Sequence, residues 1–204
     1  LDEERARADS DMGSLRDTAR MVRDNRALVV LCGASVVFLV GWFSLQTVTV
    51  YYARNVLGNA DYYIVLTVVQ TAGVFTAALL VPGLVAQVGK KRLYQALGAI
   101  AALSGIVVAF APASVPAIAI VAFAFFGVGL GGVNTVAFAL QADTVEYGEW
   151  KTGSRTEGAT YSIFSFTRKV GQALGAAAAS YTIGLGGYVS GAATQPDSAV
   201  TAIK

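Results

Sequence analysis

Residues Leu93 to Ala142 read LYQALGAIAALSGIVVAFAPASVPAIAIVAFAFFGVGLGGVNTVAFALQA, without one charged side chain. A helix rises about 1.5 Å per residue, so roughly 20 apolar residues cross the hydrocarbon core of a bilayer. This run is too long for one crossing. Pro112 and Pro116, in APASVP, divide it, because proline and the residue before it disfavour helix. Two spans, 93–111 and 116–142, are therefore expected to meet in a tight turn.

The same pattern extends outward on both sides. Ala27 to Ala53 is charge-free and forms the first span, 27–53, closing on the interface-suited aromatics Tyr51 and Tyr52. A turn with Gly58, Asn59 and Asp61 leads into a second charge-free run, 62–89, with Pro82 and Gly83 near its far end. Lys90, Lys91 and Arg92 then mark one side of the membrane. Beyond Ala142 the charged stretch QADTVEYGEWKTGSRTEG, Gln141 to Gly158, reads as a loop or hinge between two membrane helices. A fifth span follows at 159–188, interrupted by the adjacent cations Arg168 and Lys169.

Composition agrees. The 204 residues are 55% apolar and only 14% charged, with a mean hydropathy of +0.58, too hydrophobic for an ordinary soluble domain. The 15 Lys and Arg nearly balance the 13 Asp and Glu, which suggests no nucleic-acid partner. Cys32 is the single cysteine and there is no histidine. No metal site, hydrolytic site or enzyme chemistry is expected. The fold class is all-α: a polytopic membrane helix bundle.

Residues 1–26 are densely charged and lack the apolar core of a signal peptide. They read as a cytoplasmic linker. Leu15, Thr18, Ala19 and Val22 recur at i, i+3, i+4 and i+7, so an amphipathic surface helix and a disordered linker both fit. The chain opens at Leu1, not methionine, and is expected to be truncated there. Residues 190–204 read as an external polar loop. Lys and Arg in the short loops concentrate on one side: the N-terminal segment, Lys90 to Arg92, and Lys151 with Arg155. That side is expected to be cytoplasmic.

The run ADTVEYGEWKTGSR, Ala142 to Arg155, followed by TEGATYSIFSFTRKVGQALG, resembles the loop between the tenth and eleventh helices of the glycoside, pentoside and hexuronide:cation symporters. That family belongs to the major facilitator superfamily and includes the melibiose and glucuronide carriers. GLVAQVGKKR, Gly83 to Arg92, is similar to the superfamily's glycine and basic motif. Gln87 stands where an acid is usual, and the spacing before Gly89 is one residue short. The resemblance implies the C-terminal half of a major facilitator fold: a tail of the central loop, helices seven to eleven, and a missing last helix.

It further implies a secondary active transporter in the cytoplasmic membrane. The activity is cation-coupled symport of a glycoside or glucuronide by alternating access, with sodium or proton as coupling ion and no cofactor. The expected partners are the sugar or glucuronide, the lipid bilayer and a missing N-terminal half. The coupling-cation site would lie mainly in that absent half. The rival reading is a non-transporting membrane fragment or half-carrier partner.

Lys169 falls near the middle of the fifth span, where a charge is costly unless it meets protein or water. The resemblance places it in the transport cavity; snorkelling to the cytoplasmic face is the alternative, and Arg168 is expected to snorkel or pair with acids. Helical spacing puts Tyr161, Ser165 and Gln172 on the face of Lys169, groups that suit a hydroxylated ligand or bond neighbouring helices. Gln46 and Trp42 offer a polar and aromatic face in the first span, and Asn134 shares a face with Gln141 in the fourth. Asp143, Glu146, Glu149 and Arg155 are expected to form breakable cytoplasmic gate contacts. Gly127 with Gly131, and Gly171 with Gly175, suit close helix packing.

Overall fold

Asn25 begins the membrane bundle in this computed structural model, which describes residues 22–153, 155–192 and 194–204. Its side-chain oxygen accepts a hydrogen bond from the Leu28 N–H at 3.0 Å and caps α1, Arg26–Tyr51. A π-helical turn, Tyr52–Val56, follows directly. α2 is Tyr62–Val88, with Pro82 inside it, and α3 is Lys90–Phe110. Gly89 joins them at φ +80°, a left-handed backbone that a side chain would strain. α4 is Pro116–Thr152, with proline in its first turn where the missing N–H is no loss. α5 is Glu157–Leu185 and α6 is Asp197–Ile203. There is no strand among the described residues.

Glycine sets the packing. A Cβ at Gly127 would lie 2.0 Å from the Gln70 carbonyl oxygen, and one at Gly131 would lie 2.8 Å from that of Val74, so α2 and α4 touch backbone to backbone. Gly171 and Gly175 bring α5 close to Val36 and Val40 of α1, where an added Cβ would lie 3.1 Å from the Val36 Cα and 2.5 Å from the Val40 carbonyl oxygen. There the Ser44 hydroxyl donates to the Gly175 carbonyl at 2.9 Å. Both expected glycine pairs thus seat helices, as small residues do where dispersion must hold helices together in lipid. Gly129 and Gly132 use another face of α4 to seat Leu97 and Ala101 of α3. The bundle is built from the pair α1–α5 and the trio α2–α4–α3.

Outside, the pattern of a soluble protein is inverted. Leu79 is 82% exposed and Leu185 88%, which suits a hydrocarbon surround. Four helical segments are long and apolar enough to cross a membrane: α1 with its π turn, α2, α3 and α4. α5 is also long, at 29 residues, but is not among those four. Glu157, Arg168 and Lys169 and its Ser, Thr and Gly content lower its apolarity. The protein is an all-α, multi-pass membrane helix bundle.

Two expected loops are helical. The stretch from Gln141 to Thr152 continues α4, which at 37 residues is about 55 Å long. It remains helix because Ala137, Gln141, Thr144, Val145 and Gly148 repeat the buried stripe past the end of the charge-free run at Ala142. The Asn25 amide donates to the Thr144 carbonyl at 2.8 Å, and the Lys151 ammonium donates to the Asp24 carbonyl at 2.6 Å. The start of α1 therefore docks on the α4 extension. Gly153 ends α4 at φ +71°, its N–H bonding the Glu149 carbonyl at 2.8 Å. Likewise, the expected polar loop 190–204 holds a short helix, α6, whose Ala199 and Ile203 are buried. Of the amphipathic stretch from Leu15 to Val22, only Val22 lies within the described residues, and it packs on Leu28, Leu31 and Phe164.

Candidate functional site

α5 has three kinds of face. Thr160, Phe164, Gly171, Gly175, Ala179 and Ile183 are buried. Phe166, Leu174 and Tyr181 form an apolar, exposed face. Tyr161, Ser165, Lys169 and Gln172 share the remaining arc, with Tyr161 and Lys169 exposed and Ser165 and Gln172 half-buried. The four residues expected to act together on α5 are therefore brought to one open, polar face. A lysine is costly against lipid, and a face open to water or to another protein surface removes that cost.

Arg168 is the centre that sequence reading missed. Its guanidinium donates to the Asn134 side-chain oxygen of α4 at 2.6 Å. It lies over the rings of Phe138 and Phe164, 5.1 Å and 5.6 Å from their centroids. Those two rings meet edge to face at 5.9 Å. Arg168 does not meet Asp143, Glu146 or Glu149; it reaches across from α5 to Asn134 of α4. The signal was present in the spacing. Phe164, Arg168, Gly171 and Gly175 fall at i, i+4, i+7 and i+11, so Arg168 belongs to the packed stripe while Lys169 is turned about 100° from it.

The other expected cavity residues divide. Asn134 joins the site through Arg168. Trp42 does not, because it packs toward α3 and α4 beside Ala101, Phe126 and Leu130. Its indole sits 5.0 Å from the Phe43 ring and 6.5 Å from that of Phe38. It lines a largely apolar cleft of about 500 Å³ with Gly33, Val37, Tyr94 and Gly98. Gln46 is exposed on α1. A second cleft of about 520 Å³ continues the first between α1 and α3, sharing Gly41, Ala102 and Phe126, and α6 reaches into it with Ile203 and Lys204.

At the charged end, three of the four expected gate residues, Asp143, Glu149 and Arg155, are engaged within the chain. The Lys90 ammonium donates to the Asp143 carboxylate at 2.5 Å and ties the start of α3 to α4. Arg155 bridges Glu149 at 2.9 Å and Glu157 at 3.4 Å across the α4–α5 turn. Glu149 first, then Glu157, raises the Arg155 guanidinium above its usual value, so it stays charged. Glu146 is exposed and has no partner among the described residues. No group of three or more potential metal ligands occurs among the described residues.

Comparison with known proteins places the chain. The profile of the family described as MFS/sugar transport protein matches residues 1–204. The glucuronide carrier protein homolog of Escherichia coli (strain K12) is 40% identical over 187 residues, covering 90% of this chain and 40% of that protein. The uncharacterized symporter YjmB of Bacillus subtilis (strain 168) is 30% identical over 82% of this chain and 36% of its own length. The isoprimeverose transporter of Lactiplantibacillus pentosus is 26% identical, over 86% and 37% respectively. The chain thus spans two-fifths or less of the length of these curated relatives. On a match that covers every residue, and with a bundle of membrane-length apolar helices to fit it, the chain belongs to the MFS/sugar transport family of the major facilitator superfamily.

Proposed function

We propose that this chain forms the C-terminal half of a secondary transporter that carries a glycoside or glucuronide across the cytoplasmic membrane with sodium or proton. The observation that carries this reading is the polar face of α5. In a bundle whose outward faces are otherwise largely apolar and carry no other charge in mid-helix, the face of Tyr161, Ser165, Lys169 and Gln172 needs a partner that is not lipid. A water-filled route between two halves supplies one, and substrate sites of such carriers lie near the bilayer midplane at the junction of repeats.

Lys169 lines that route in this reading, with Tyr161, Ser165 and Gln172 offering donors and acceptors to hydroxyl groups. The α4 extension, the α4–α5 turn and Lys90 to Arg92 face the cytoplasm. Glu146 is the gate carboxylate left available to the other half, whereas Asp143 and Glu149 would have to exchange partners. The apolar groove between α1 and α3, into which α6 points, takes a further helix of the complete carrier. No covalent step is involved.

Transport by the complete carrier in membrane vesicles tests this. Labelled methyl β-glucuronide or methyl β-glucoside should accumulate when a sodium or proton gradient is imposed and equilibrate without one. Absence of gradient-driven accumulation with either sugar removes the symporter reading and favours a non-transporting membrane component.

A further inference from the structure

Among the described residues the carboxylates are paired or lie away from the middle of the bundle, and none of them faces Arg168. Asp143 is taken by Lys90, and Glu149 and Glu157 by Arg155. Asp24 lies before α1, while Asp61 and Asp197 lie at the ends of α2 and α6. Glu146 is twelve positions beyond Asn134 along α4, about 18 Å away at helical rise. No carboxylate reaches Arg168 among the described residues.

What holds Arg168 instead is neutral. Asn134 accepts one hydrogen bond, and Phe138 and Phe164 offer ring faces to the guanidinium plane. A guanidinium carries five N–H donors in a rigid fork, and Asn134 occupies one edge of it. The arrangement fixes the orientation of the group without neutralising it. A half-buried, oriented and uncompensated cation attracts an anion, and its geometry suits a planar, two-oxygen group. Lys169, the next residue along α5, adds a second positive charge on the adjoining open face.

We propose that Arg168, held by Asn134, Phe138 and Phe164, is the residue by which this carrier recognises the carboxylate of an acidic sugar. This rests on the carrier reading above and assigns the specificity of the same site: the ligand is a sugar acid, and Lys169 and the α5 hydroxyl and amide groups address its neutral part. Asn134 is a positioning residue. An aspartate in its place would supply the missing counter-charge and satisfy Arg168 from within.

The test compares uptake of labelled methyl β-glucuronide and methyl β-glucoside, equal in shape and different in charge, by the complete carrier in vesicles. The parent protein should prefer the glucuronide. Arg168→Gln should raise the KM for the glucuronide about 10- to 100-fold, the weight of a charge-assisted bond, and leave that for the glucoside within about threefold. Asn134→Asp should abolish the same preference in a carrier that still folds, with its Arg168 paired; carrier abundance and thermal stability in detergent are measured alongside. Equal loss of both sugars in the Asn134→Asp carrier, or an unchanged preference in either variant, overturns the proposal and leaves Arg168 a structural group. A parent that moves both sugars without preference also overturns it while sparing the carrier reading. A parent that moves neither refutes the carrier reading itself.

Discussion

Replacing Gly127 by alanine tests the packing on which the whole site depends. The added methyl would sit 2.0 Å from the Gln70 carbonyl oxygen, 2.8 Å from its carbon and 3.0 Å from its Cα. Comfortable non-bonded separation is about 3.5 Å, so α2 must withdraw by roughly 1.5 Å at this crossing. The obstacle is backbone and cannot rotate aside. Withdrawal also loosens Gly73 against Ala124 and Gly131 against Val74, which share the seam. Overpacking of this kind costs about 1–3 kcal/mol, and a rigid obstacle puts it at the upper end. For a protein of this size that is a fall in Tm of roughly 5–10 °C. The assay is thermal unfolding of the detergent-purified protein, followed by tryptophan fluorescence. Gly98→Ala is the control, because its nearest neighbour is Val133 Cγ2 at 4.0 Å, and it should melt with the parent or slightly above it. If Gly127→Ala melts with the control, α2 and α4 do not meet as described.

Two further substitutions address the charged end. Asn25→Ala removes both the cap of α1 and the bond to the Thr144 carbonyl, and should lower stability by about 1–3 kcal/mol in the same unfolding assay; an unchanged Tm would mean that α1 does not dock on the α4 extension. Asp143→Asn, by contrast, should cost at most about 1 kcal/mol, because Lys90 and Asp143 are each more than a third exposed. Charge reversal of Glu146 in the complete carrier should change uptake kinetics with little effect on Tm, and unaltered kinetics would remove it from the gate.

How far the residues foretold this structure varies with the physics behind each feature. Charge-free runs bounded by Pro112, Pro116 and Gly89 located the apolar helices, because water-filled ends and a dry interior sort residues strongly. The same criterion misplaced the end of α4. A change from apolar to charged marks the membrane boundary, whereas a helix ends where its hydrogen bonds and caps end, here at Gly153. The buried stripe through Thr144, Val145 and Gly148 was visible at helical spacing but was masked by the carboxylates between its members. On α5 the shared face of Tyr161, Ser165, Lys169 and Gln172 followed from period alone. The partner of Arg168 did not, since Asn134 lies 34 positions away on another helix. The neighbours of Trp42 were equally out of reach of period alone, since Ala101, Phe126 and Leu130 lie on α3 and α4.

Whether the polar face of α5 lines a water-filled route is read by cysteine accessibility. Cys32 is the single cysteine of this chain, so a carrier with Cys32 and any cysteine outside this chain replaced by serine accepts single cysteines at chosen positions. In membranes holding the complete carrier, cysteines replacing Ser165, Lys169 and Gln172 should react with a charged, membrane-impermeant thiol reagent, and methyl β-glucuronide should slow that reaction. Cysteines replacing Phe166, Leu174 and Tyr181, on the apolar face of the same helix, should stay unreactive. Equal reactivity on both faces, or a reactive apolar face beside an inert polar one, would mean that the polar face of α5 lines no water-filled route.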